Sequence, residues 1–129
     1  MFDVKFWEEI KEKCPKAMGN FLLYLQKTKR IDDDTQFIIA VLWKLFENND
    51  ICYSIIEKFF RNDMIVITYH YSINGNGFKY FIYDKLNGNE YYDDKIFVDK
   101  ENSENRAIKK AFEIRKNQLK DIQNEKYDW

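Results

Sequence analysis

The chain is poor in the residues that make reactive or covalently braced sites: one histidine, two cysteines, one proline and four glycines in 129 residues. The single histidine, His70, would need a nucleophile or carboxylate held at hydrogen-bond distance to act as a general base, and no matched partner is legible beside it. Cys14 and Cys52 have no CxxC partner and no histidine at ligand spacing, so a zinc site is not expected and both read as free thiols in a reducing compartment. The glycines offer one candidate phosphate loop, Asn74-Gly75-Asn76-Gly77, which lacks a lysine and leads into no helix, so it reads as a turn. Charge of one sign is also missing. Lys and Arg number 21 against 22 Asp and Glu, without the basic excess common in nucleic-acid binders. The longest apolar run, residues 37–43, is far too short to span a bilayer, and the opening residues lack the layout of a signal peptide. A cytoplasmic protein with no membrane segment, no metal and no cofactor is expected.

Aromatic side chains are abundant: 3 Trp, 9 Tyr and 11 Phe, or 18% of the chain. A single domain of this length, spanning 1–129, can bury enough surface to fold without disulfide or metal. With 23 rings to place, some are expected to lie part-exposed as contact surface.

The apolar pattern divides the chain into a helical half, about 3–61, and a meander plus final helix, about 64–124. In residues 3–13, Phe2, Phe6, Trp7 and Ile10 share one helix face and Asp3 can cap the start. Glu8, Glu9 and Glu12 fall on the solvated side. Pro15 fits the first turn of a second helix to about residue 27, with Ala17, Phe21, Leu22 and Leu25 inward. Asp32, Asp33 and Asp34 invite a metal reading but suit the approach to a helix start at Thr35 better. Residues 35–47 are apolar nearly all round and predict a buried helix, with a strand at 37–42 as the rival. A further helix at 51–61 places Ile51, Cys52, Ile55, Ile56, Phe59 and Phe60 on one face.

The period then changes to two. Residues 64–72 predict a strand with Ile65, Ile67, Tyr69 and Tyr71 inward. Residues 78–84 predict a second, Asn87-Gly88 a hairpin turn, and 90–98 a third strand. Asp93 and Asp94 fall on opposite faces of that strand and read as charges that keep an edge soluble. Ser103 is placed as the cap of a last helix to about 124, with Ala107, Ile108, Ala111, Phe112, Leu119 and Ile122 inward and Arg115 on the same stripe. The fold class is α+β: N-terminal helices, then a three-stranded antiparallel meander and a long C-terminal helix, an α-β-β-β-α core.

The order of helix, three antiparallel strands and helix, together with residues 103–112 (SENRAIKKAF), resembles the double-stranded-RNA-binding domain. That likeness implies Lys109 and Lys110 as the nearest matches to the family's phosphate-contacting lysines. The segment 6–17 (FWEEIKEKCPKA), the aromatic meander and the closing KAFEI of 110–114 are similar to small uncharacterised proteins of bacteriophages and gut bacteria. This likeness implies a phage-type accessory protein and gives no activity.

Two binding surfaces follow. Lys79, Phe81 and Tyr83 face away from the core side of the second strand and could meet a partner protein or stack on bases. The apolar first half favours the reading that its helices cover that face. Arg106, Lys109 and Lys110, with Arg115, Lys116 and Lys120, give the last helix a basic side. No catalytic centre is expected. The leading expectation is a small protein that binds another protein and regulates it, the alternative a nucleic-acid-binding module.

Overall fold

The computed structural model describes residues 2–32, 38–47, 49–72, 77–93 and 95–120. The element order is α1 (Val4–Lys13), α2 (Pro15–Lys27), α3 (Ile38–Leu45), α4 (Asn49–Asn62), β1 (Ile65–Ser72), β2 (Gly77–Asp84), β3 (Asn89–Tyr92) and α5 (Lys100–Lys120). The strands form one antiparallel sheet in the order β1-β2-β3. The fold is α+β, as the sequence predicts.

The first two helices follow local chemistry. Asp3 Oδ1 accepts from the Phe6 amide at 2.9 Å, satisfying a donor that the first turn of α1 leaves unpaired. Pro15 then opens α2, where its missing N–H costs nothing. Phe2, Phe6, Trp7 and Ile10 are buried, as are Ala17, Phe21, Leu22 and Leu25. Their rings join residues far along the chain. Trp7 stacks on Phe21 (5.9 Å, 9° between planes), and Phe112 meets Phe21 at 5.8 Å and Phe60 at 4.9 Å. Offset and edge-on contacts of this kind add to plain area burial.

Helix α5 is the spine. One side packs on β1 and β2 and the other on α1 and α2. Its buried residues include Ala107, Ile108, Ala111, Phe112 and Leu119 as expected, and also Ile114 and Gln118.

The structure corrects four expectations. First, α3 is not a buried helix. Only Leu42 within it is fully covered, Ile38, Ile39, Val41 and Leu45 are half-buried, and Trp43 is 42% exposed. A helix apolar all round can press only one side on its neighbour, here α1. Second, β3 stops at Tyr92 rather than running to 98. Asp93 Oδ1 accepts from the Lys95 amide at 3.0 Å, a local turn that competes with the ladder. The chain returns for a single bridge, in which Phe78 and Phe97 exchange backbone bonds of 2.7 and 2.9 Å. This return requires Gly77, because a Cβ there would collide with Ile96 Cγ2 and lie 2.6 Å from the Phe97 carbonyl. Third, α5 starts at Lys100, one turn before the expected cap. Asp99 Oδ1 accepts from the Asn102 amide at 2.8 Å, while Ser103 is buried inside the helix with its hydroxyl unpaired. Fourth, α4 starts at Asn49, where a break was expected.

The β2–β3 turn also differs in its chemistry. Only Gly88 has positive φ (72°), and Asp84 closes the turn. Its carboxylate accepts from the Leu86 and Asn87 amides and from the Asn87 side chain. The expectations for Asp33, Asp34 and Thr35, for the 73–76 turn, for Asp94, for Ile122 and for the side chains of Ile51 and Cys52 lie outside the described residues.

Candidate binding surfaces

Antiparallel pairing places directly opposed residues on one face of a sheet. The register pairs Val66 with Tyr83, Thr68 with Phe81 and His70 with Lys79, then Phe81 with Tyr92 and Tyr83 with Glu90. These eight side chains form the outer face. The intervening row (Ile65, Ile67, Tyr69, Tyr80, Ile82, Tyr91) turns to the helices. Among the described residues no helix lies over the outer face. Thr68, His70, Tyr83 and Tyr92 are exposed, and Lys79 and Phe81 are half-buried by their neighbours. The expectation that the N-terminal helices cover this face is therefore corrected. The apolar faces of α1 and α2 are consumed against α5, α3 and each other, which leaves neither of them to wrap the sheet from behind.

Phe81 and Tyr92 lie parallel, 6.2 Å apart with 2° between their planes. Tyr92 is 68% exposed and Tyr83 is 37% exposed. The patch they form is neither acidic nor basic, since Lys79 and His70 flank one side and Glu90 the other. His70 stands on this face with no carboxylate partner among the described residues.

The basic residues of α5 form no joint site with Lys79, Phe81 and Tyr83, because α5 packs on the opposite side of the sheet. Each of the three has an acidic neighbour. Arg106 Nε lies 3.4 Å from Asp93, Lys109 Nζ 2.6 Å from Glu9, and Lys110 Nζ 3.5 Å from Glu113. Lys109 also sits over the Phe6 ring and Lys110 over Tyr91. Glu9, expected on a solvated face, instead ties α1 to α5. Hydrogen bonds from Lys109 and then Lys13 hold its carboxyl down at about 2. Beside this tie, Lys95, Arg106 and Lys109 edge an open groove of about 390 Å³ that Phe97, Asn102 and Asn105 complete.

No protein-family model matches the chain, and neither a curated protein nor a solved structure does.

Arg115 has a different role from the other basic residues of α5. It is 7% exposed, and its Nε donates to Asn20 Oδ1 at 3.1 Å and lies 3.3 Å from Asp63 Oδ2. Its Nη1 donates to Gln118 Oε1 at 3.0 Å, and Gln118 Nε2 donates to Asp84 Oδ1 at 2.8 Å. The chain of contacts runs from α2 through α5 to the β2–β3 turn. Burial outweighs mutual attraction for the ion pair. It pushes the Asp63 carboxyl up and the Arg115 guanidinium down, each against the pull of its partner. The hollow beside Asp63, lined by Asn20, Tyr24, Lys27 and Asn62 among others, holds about 140 Å³. That is below the usual range for an organic ligand, so the network is a structural brace.

No helix is long and apolar enough to cross a membrane among the described residues.

Proposed function

We propose that this chain is a small non-catalytic binding protein whose bare sheet face, centred on Phe81, Tyr83 and Tyr92, docks a protein partner. The carrying observation is a solvent-facing aromatic cluster on a sheet whose other face packs against the helices. Rigid tyrosines lose little side-chain freedom on docking and offer both an apolar body and a polar tip, which is why such residues dominate contact energies. The mixed charge around the cluster suits a protein surface better than a phosphate backbone. Trp43 on α3 is a further exposed ring, away from the sheet. The resemblance to phage-type proteins extends the reading to an accessory factor that regulates a host protein in the cytoplasm.

The test places a photo-crosslinking residue at Glu90, opposite Tyr83 at the rim of the patch, and compares capture from cell lysate with that of a Tyr83→Ala/Tyr92→Ala double variant carrying the same label. One crosslinked protein lost on the double substitution, with an unchanged circular dichroism spectrum, supports the reading. The same set of proteins captured by both would overturn it.

The groove edged by Lys95, Arg106 and Lys109 favours nucleic acid as a second reading. Filter binding to duplex RNA and DNA at two salt concentrations decides it. Binding through phosphates must fall steeply with salt and disappear on charge reversal at Lys109 and Lys110.

A further inference from the structure

The two edges of the sheet differ. Strand β3 is four residues long, carries Glu90, and ends in the Asp93 turn. Those are familiar ways of blocking an edge against another strand. Strand β1 has none of them. It runs eight residues, IVITYHYS, with no proline, lysine, arginine or acid, and among the described residues it has a sheet neighbour on one side only.

The direction of its free backbone groups follows from the bonds it makes. The Met64 carbonyl accepts from the Lys85 amide at 2.8 Å, so alternation turns the backbone of Val66, Thr68 and His70 toward β2. The exchange between Phe78 and Phe97 fixes the same parity from the far side of β2. The N–H and C=O groups of Ile65, Ile67, Tyr69 and Tyr71 therefore point out of the sheet edge, with no backbone partner among the described residues. Tyr71 stands in the core-facing row yet is 58% exposed, with Phe78 against its ring at 5.1 Å.

We propose that β1 pairs antiparallel with β1 of a second copy of this chain, about a two-fold axis at Thr68. The occupant is a second copy because the strand is its own complement. An axis at Thr68 sets Ile65 opposite Tyr71 of the partner and Ile67 opposite Tyr69 of the partner, pairing all four outward-facing residues of both strands. Moving the axis by one residue in either direction leaves one of the four unmatched. Each core-side pair is then aromatic against β-branched, a favourable cross-strand combination. No charge on the strand repels its copy, and none is offered to a charged peptide. The two outer faces join into one six-stranded surface with both aromatic clusters on the same side. The interface is small, so the dimer depends on concentration.

Light scattering after gel filtration, across a concentration series, tests this. The expected mass is about twice the monomer's 15.8 kDa at high concentration. Thr68 is exposed and central, so Thr68→Lys and Thr68→Glu should each give monomer alone, and a 1:1 mixture should return to the doubled mass. Tyr83→Ala/Tyr92→Ala should leave the mass unchanged, which separates this inference from the partner-binding reading. Monomer at every concentration, or charge variants that still dimerise, would overturn it. Amide exchange of the wild-type protein gives a check that needs no variant. The Ile65, Ile67, Tyr69 and Tyr71 amides should become protected as concentration rises, and fast exchange throughout would count against pairing.

Discussion

Phe81 and Ile82 are neighbours in β2 and meet opposite surroundings. Ile82 is fully buried under α5, while Phe81 lies on the open face beside Tyr92. The same alternation divides the whole sheet. Its inner row is joined to a ring cluster and a buried polar chain, and no described helix lies over its outer row. Stability is thus concentrated on one side of the sheet and contact surface on the other. Substitutions on the first should unfold the protein, and substitutions on the second should leave it folded and alter what it binds.

The strongest way to test that contrast is Phe112→Ala. Phe112 is fully buried among Trp7, Phe21, Phe59 and Phe60. Its loss leaves a cavity and should cost about 3–5 kcal/mol in urea unfolding at neutral pH. A cost below about 1 kcal/mol would mean that the cluster can collapse and that the two faces differ less than their burial suggests.

Arg115→Ala comes next, at about 3 kcal/mol at neutral pH, because it strands Asp63 as a buried charge without its partner. The pH dependence carries a sign. Burial already raises the native Asp63 carboxyl above its ordinary value, so ionising it disfavours the fold as pH rises through that native value. Without Arg115 the carboxyl rises further. The stability gap between wild type and variant should therefore narrow as pH falls through the raised native value and Asp63 takes up its proton. A gap that stayed constant with pH would assign the whole effect to the lost bonds with Asn20 and Gln118. Glu9 has the opposite sign. Its depressed carboxyl favours the fold above about 4.5, and that contribution fades as pH falls toward about 2.

Asp99→Ala removes the cap of α5 and should cost about 1 kcal/mol, whereas Ser103→Ala should cost less because the buried hydroxyl bonds to nothing. The reverse order would restore Ser103 as the start of the helix. The smallest effect belongs to the outer face. Tyr83→Ala and Tyr92→Ala should each change stability by no more than about 0.5 kcal/mol, read from the same urea curves. A loss above about 2 kcal/mol at either position would show that the outer rings support the fold and would remove the contrast.

Much of the architecture was readable because it rests on local chemistry. Asp3, Pro15, the four-residue step of Phe2, Phe6 and Ile10, and the alternation of Ile65, Ile67 and Tyr69 each announce their element within a few residues. The misses have a common cause. Nothing near Trp43 says that α3 will find a neighbour on one side only. Ser103 reads as the cap, but Asp99 takes that place, just after the 95–97 segment has returned to Phe78. One signal for the polar chain was present, an arginine on the apolar stripe of α5, but its partners Asn20 and Asp63 lie far off in sequence. Arg106, Lys109 and Lys110 read as the basic side of a helix diluted only by nearby acids such as Glu113, because Asp93 and Glu9 come to Arg106 and Lys109 only through folding.

The sequence by itself determined the element types, the inward rows and the material of the core, since periodicity and capping act over one or two turns. Tertiary structure alone decided which apolar surface was left over. The helices spend their apolar faces on one another and on one side of the sheet, and burial is settled by the total area available rather than by any single segment. That division left Tyr83 and Tyr92 exposed beside the half-buried Phe81 and, among the described residues, β1 with an unpaired edge.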